Sequence, residues 1–385
     1  MRFKQALSFT ATHYWNLVYR MGISKGVSMH KNARIATVIA STAVTLLTLI
    51  SSVQLSSAQT AEAVSGVYAV NAIGTNNVLD PQVASNPNVD GLLIRPAWST
   101  VEATEGVFSW KWTDGMIRLA SAAGKKVSIG IGAGISSPAW LYADGAQSFK
   151  FIWDQGGWGP PVCSIATIPV PWDPVFQTKW AGLISAFAAH YASNPAVTSI
   201  KLTGINSETL ETALPLSNNK LITYKATSCH SYNDPANWQA AGYTRLKVEN
   251  AWAEIEQDFH AGFPTTPLQA MMVSGFPPID NNGLLIPKQW QDTQLPTDLA
   301  NMGLADSVTQ FVLQNNGLSS TWIWPVEANY ASQIATGYQM VAALGSKLQS
   351  AINLALSAKA DYLEIYASDI DSQPQVIATT RQALP

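Results

Sequence analysis

Charge is scarce in this sequence. Asp, Glu, Lys and Arg make up 12% of its 385 residues, roughly half the usual share, so a strongly charged recognition face is not expected. The 22 basic and 25 acidic residues nearly balance, with a net charge of −3. No basic excess exists to hold a phosphate backbone, which excludes nucleic acid as a partner. Histidines number five and cysteines two, and no group of them has metal-ligand spacing, so no metal is expected. Phosphate and nucleophile motifs are missing as well. Gly130-Ile131-Gly132-Ala133-Gly134 lacks the third glycine and the distant acid of a dinucleotide loop, and no Gly-x-Ser-x-Gly turn occurs. No cofactor is therefore expected. Linker-like low-complexity stretches and internal repeats are absent too, which leaves one domain over residues 61–385.

Apolar and aromatic residues are plentiful, at 47% and 10% with 14 Trp, enough for a large core. Near the N-terminus, Lys31 and Arg34 precede an apolar run from Ile35 to Val53 and then Ser56-Ser57-Ala58. This is the order of a secretory signal, so residues 1–58 read as a targeting segment cleaved after Ala58. The chain is then expected to be secreted, and Met29 competes with Met1 as the true start. A membrane enters only if the apolar run stays as an anchor, since it approaches the length of a span. Cys163 and Cys229 fall on the exported side, where a disulfide between loops is expected; free thiols or a redox pair are the alternatives.

Short apolar runs alternate with helical patterns, the signature of βα units. Strands are expected at 66–71, 91–95, 126–130, 197–203, 268–274, 309–314, 336–340 and 362–366. Asp173-Pro174 opens a helix whose Trp180, Leu183, Ile184, Phe187, Ala188 and Tyr191 share one face. A second helix begins at Asp234-Pro235 and ends at Gly262, and a third runs from about Ala343. The fold class is α/β, a (β/α)8 TIM barrel, and its working face is expected at the C-terminal strand ends. Long loops follow the third and fourth strands and carry Trp140, Tyr142, Trp153, Trp158, Trp172 and Tyr232. Such rings can stack on sugars, or they can pack their own loops.

The segment from Gly91 to Trp110 (Gly-Leu-Leu-Ile-Arg95-Pro-Ala-Trp98, then Glu102, Glu105-Gly106 and Trp110) runs into Gly124-Lys-Lys-Val. It resembles retaining glycoside hydrolases of the cellulase and β-galactosidase superfamily, well over 91–131 and more loosely to Glu211. The resemblance implies hydrolysis of O-glycosidic bonds in a poly- or oligosaccharide by two carboxylates, with carbohydrate as the partner and a monomer expected. It also implies that Arg95 braces the nucleophilic carboxylate and that Trp98 belongs to the substrate site. In the superfamily an Asn that contacts the sugar immediately precedes the acid/base Glu at the end of the fourth strand. Here Asn206-Ser207-Glu208 breaks that adjacency, and either Glu208 or Glu211 can be the proton donor. Glu208 is favoured because it lies nearer the strand.

The resemblance places the nucleophile at the end of the seventh strand, yet Gln339 stands there. Glu364, an acid inside the apolar eighth strand, is the nearest substitute, because burying it is costly unless it is paired or faces the barrel mouth. A structural ion pair with Arg95 competes with that role, and Glu327 is a third choice. Gln314-Asn315-Asn316-Gly317 closes the sixth strand, so Gln314 and Asn315 can contact substrate or simply form a turn. A barrel that binds carbohydrate or cell-wall material without cleaving it is the alternative function.

Overall fold

The computed structural model describes residues 64–70, 79–273, 275–306 and 310–385. The targeting segment expected over 1–58 lies outside them. The described residues form twelve strands: β1 Gly66–Val70, β2 Gly91–Ile94, β3 Lys126–Ile129, β4 Ser148–Ile152, β5 Ile165–Pro169, β6 Val197–Leu202, β7 Leu221–Tyr224, β8 Thr227–His230, β9 Leu268–Met272, β10 Phe311–Leu318, β11 Thr336–Met340 and β12 Tyr362–Tyr366. Eight of them close into a parallel barrel in the order β1-β2-β3-β6-β9-β10-β11-β12. All eight stand where the alternating pattern places them, and the sixth runs past Gln314 to Leu318.

Helices cover the barrel because each buries an apolar stripe. In Pro174–Tyr191 the Asp173 carboxylate accepts from Phe176 N at 2.9 Å, and Pro174 supplies a helix-ready φ. Phe176, Trp180, Leu183, Ile184 and Phe187 are buried beneath it, each contributing about 1.5–3 kcal/mol. The helix expected from Asp234 to Gly262 is two, Asp234–Ala240 and Arg245–Gly262. Gly242 takes a positive φ of 77° between them and Thr244 caps the second, so the chain restarts where one stripe seemed continuous. The last expected helix begins later, at Leu348, because the Asp369 carboxylate captures the backbone amides of Leu344 and Gly345 instead.

The barrel interior differs from the expected Val, Ile and Leu filling. Strand alternation sends most of those residues outward to the helices and places Tyr68, Ser128, Lys201, Gln269, Gln314, Tyr362 and Glu364 inside, beside Val70, Leu93, Met271 and Val312. Lys201 on β6 reaches Glu364 on β12 across the interior, since these strands are not neighbours. Gln314 joins them: its Oε1 accepts from Lys201 Nζ at 2.6 Å and from Tyr362 Oη at 2.7 Å, while its amide donates to Glu364 at 2.9 Å.

Two antiparallel hairpins, β4–β5 and β7–β8, stand in the long loops. The disulfide expected between loops joins them, Cys163 to Cys229, with a Cα–Cα distance of 5.9 Å.

Candidate active site

A cleft of about 770 Å³ opens at the C-terminal ends of the barrel strands, within the range of ligand sites. The loop after β6 contributes Glu208 and Glu211, the strand ends contribute Asn316, Gln339 and Tyr366, and the β4–β5 hairpin adds Asp154 and Trp158. The cleft thus lies at the strand ends where the pattern places the working face.

The acid loop is fixed by backbone contacts. Asn206 accepts from Gly204 N at 3.0 Å and donates to Thr209 O at 2.6 Å, an Asx-type clamp that curls the chain so that Glu208 and Glu211 both reach the cleft. Gly134 supports it from the side with a positive φ of 56°. A Cβ there would come within 2.2 Å of Ser207 O, so only glycine allows the approach. Ile135 N donates to that same carbonyl at 2.9 Å.

The two glutamates have different surroundings. Burial raises the Glu208 pKa to about 7, helped by the negative charges of Asp154 and Glu211 and opposed by Lys220. Its carboxyl group therefore keeps a proton near neutrality, as a general acid must. Glu211 accepts from the Asn316 amide at 2.9 Å and lies in the electrostatic field of Lys201 and Tyr366. Arg95, just after β2, acts electrostatically on the same two groups, Lys201 and Tyr366.

Several residues expected at the site stand elsewhere. Trp98 is buried, not at the cleft. It packs edge-on against Trp140, Phe176 and Trp180 and donates to Glu102 at 2.7 Å. Asn206 spends its amide on the backbone. Asn315 does the same, donating to Met272 O at 2.8 Å and accepting from Gly317 N at 3.0 Å, while Gln314 belongs to the barrel interior. Glu364 is fully buried below the cleft and paired with Lys201; it does not line the cleft. Glu327 is fully buried as well, and burial raises its pKa well above the usual carboxyl range. Gln339 does line the cleft, and its Oε1 has no hydrogen-bond partner among the described residues.

Asp154 and Asp234 also line the cleft, although nothing in the sequence alone marked them as site residues, and so does Asn316 from the amide run that closes β10. Asp234 looked like the cap before Pro235, but Asn233 caps the helix by accepting from Ala236 N at 3.1 Å. One oxygen of Asp234 accepts from Ser217 N at 2.9 Å, and the other is buried at the cleft wall without a partner among the described residues. Burial raises its pKa to about 7. Two capping residues in a row were the available signal. Of the loop aromatics, Trp158 lines the cleft, whereas Trp153 is buried in its hairpin and Trp172 packs against Trp238 and Tyr243.

Comparison with known proteins agrees with this architecture. The sequence profile of a glycoside hydrolase family described as beta-galactosidase matches residues 93–213, roughly a third of the chain, running from β2 through the acid loop. The catalytic domain of beta-amylase from Paenibacillus polymyxa is similar in structure, with TM-score 0.58 and 14% identity over 84% of this chain and 100% of that one. Beta-galactosidases from Marinomonas ef1 and Rahnella sp. R3 align at TM-score 0.44, with 12% and 13% identity over 78% of this chain. The chain spans about half their length, 54% and 50%. No curated protein matches in sequence. The fold is a (β/α)8 barrel, and its segment 93–213 is similar to a glycoside hydrolase family, as the resemblance implied. The matched segment includes Arg95, Glu208 and Glu211.

Proposed function

We propose that this protein is a secreted glycosidase that hydrolyses O-glycosidic bonds in a poly- or oligosaccharide with Glu208 as proton donor. The observation that carries the reading is a buried carboxyl group, its pKa raised to about 7, sharing a barrel-mouth cleft with a second carboxyl group. Glu208 protonates the leaving oxygen. Glu211, oriented by Asn316 and coupled electrostatically to Lys201, supplies the second carboxyl function, as nucleophile or as base for water. Trp158 offers a face for a sugar ring. Glu364 has no direct role in this scheme. Paired with Lys201, it holds the floor of the site.

Reducing-sugar release from a panel of polysaccharides tests this, using wild type, Glu208→Gln and Glu211→Gln. Wild-type release that both substitutions abolish is the expected result. Gln339, standing where the resemblance implies an acid, favours a second reading, a barrel that binds carbohydrate without cleaving it. Retention on a polysaccharide column with no release by wild type would establish that reading instead.

A further inference from the structure

Beside the main cleft lies a second groove of about 590 Å³. Leu216 and Ser217 form walls of both, so the two are adjoining stretches of one surface. The far wall is the segment after β9, where Leu285 and Trp290 are exposed to 44% and 71%. Exposing an indole to that extent forgoes most of its burial energy, and a grouped exposed apolar surface is a mark of ligand binding.

The segment bearing Trp290 is pinned at several points. Asp280 accepts from the backbone amides of Asn282 and Leu284 at 2.9 and 2.8 Å. Ile286 N donates to Pro278 O at 2.7 Å and Asp292 N to Phe276 O at 2.8 Å. Neighbouring helices hold it too: Gln239 donates to Gly283 O at 2.8 Å, and Asn281 accepts from Leu246 N at 2.8 Å. The ring is thus offered on a preorganised support, which lowers the ordering cost of a contact. Around it Asn218, Asn233, Gln289 and Lys220 supply amide and ammonium groups. An apolar ring face bordered by such groups suits a sugar residue, whose ring carbons stack while its hydroxyls exchange hydrogen bonds.

We infer that this groove is a distal subsite that carries the continuation of a polysaccharide chain away from the main cleft, with Trp290 as its stacking platform. Such a subsite rests on the glycosidase reading and deepens it. The substrate is a chain longer than the cleft alone holds, bound across both depressions.

The test compares wild type with Trp290→Ala in two measurements. In affinity electrophoresis through gels containing the polysaccharides of the panel, wild type is retarded by at least one polymer, and Trp290→Ala loses most of that retardation. In kinetics on that polymer, KM rises about tenfold, equivalent to about 1.4 kcal/mol for one lost stacked sugar contact. Values of kcat on the polymer, and both constants on a short chromogenic glycoside, stay within about twofold. Equal retardation of the two proteins in every gel overturns the inference, as does an equal KM change on the short glycoside. Sedimentation velocity covers the remaining occupant, since a dimer that Trp290→Ala converts to monomer would assign the groove to a second copy. The electrophoretic arm needs no turnover, so a barrel that binds but does not cleave would defeat the glycosidase reading and leave the subsite standing.

Discussion

The side-chain amide of Asn316, at the end of β10, donates to Oε1 of Glu211 across the barrel mouth at 2.9 Å. Asn316 is itself held from beneath, where its Oδ1 accepts from Gln314 at 2.5 Å. A chain of contacts therefore runs from the Lys201–Glu364 pair through Gln314 and Asn316 to Glu211. The position of Glu211 at the barrel mouth is set by a polar network inside the barrel.

Replacing Asn316 with Ala removes the orienting bond to Glu211. Hydrogen bonds to charged groups contribute about 1.5–3 kcal/mol, so kcat/KM falls roughly 10- to 150-fold while the melting temperature changes little. Steady-state kinetics with a thermal scan checks both halves, and unchanged kinetics would remove Glu211 from the mechanism.

The buried pair makes a different prediction. Glu364→Leu leaves the Lys201 ammonium buried without its carboxylate, at a cost of about 3–5 kcal/mol, whereas Lys201→Met with Glu364→Leu recovers much of it. Denaturant unfolding of the single and double variants measures the difference. A Glu364 variant as stable as wild type yet inactive would return Glu364 to the role of nucleophile.

Stability should also depend on pH through the raised carboxyl groups. Glu208, Asp234 and Glu256 each have a folded pKa of about 7, with burial as the largest cause. A carboxyl group with a raised pKa binds its proton more tightly when folded. Between about pH 4.5 and 7 the native state then holds more protons than the unfolded state, and stability falls as pH rises. Glu208→Gln removes one such group, so its melting temperature relative to wild type climbs across that window and is flat below it. Thermal scans from about pH 4 to 8 show whether the slope has this sign.

Cutting the Cys163–Cys229 link, with a sequence separation of 66, is expected to cost about 2–4 kcal/mol by freeing unfolded-state entropy. Both hairpins contribute to the cleft surroundings, Phe151 and Asp154 among its walls and Lys220 ion-paired to Asp154 at 3.1 Å. Substrate affinity in a Cys163→Ser/Cys229→Ser variant should weaken along with stability, as unfolding midpoints and KM measured together would show.

The barrel was legible because parallel strands buried on both faces leave short apolar runs between amphipathic helices, and β11 and β12 have the expected limits. Glu208 and Glu211 were legible because they follow β6 directly. The fate of Glu364 was not, since a sequence shows an acid in an apolar strand without showing Lys201 opposite it across the barrel. Trp98 misled for a related reason: the resemblance carries a residue type over, while burial depends on Trp140, Phe176 and Trp180 from distant segments. Asp154 and Asp234 lie in a hairpin and at a helix start, and only the folded loops bring them to the cleft.

The central claim is that Glu208 delivers the proton. The most direct measurement compares Glu208→Ala with wild type on a substrate whose leaving group needs protonation and on an aryl glycoside whose leaving group departs unaided. If Glu208 is the donor, kcat/KM falls by about 10²–10⁴ on the first and bond cleavage stays near wild type on the second. Equal losses on both substrates, or full activity on the first, would contradict it.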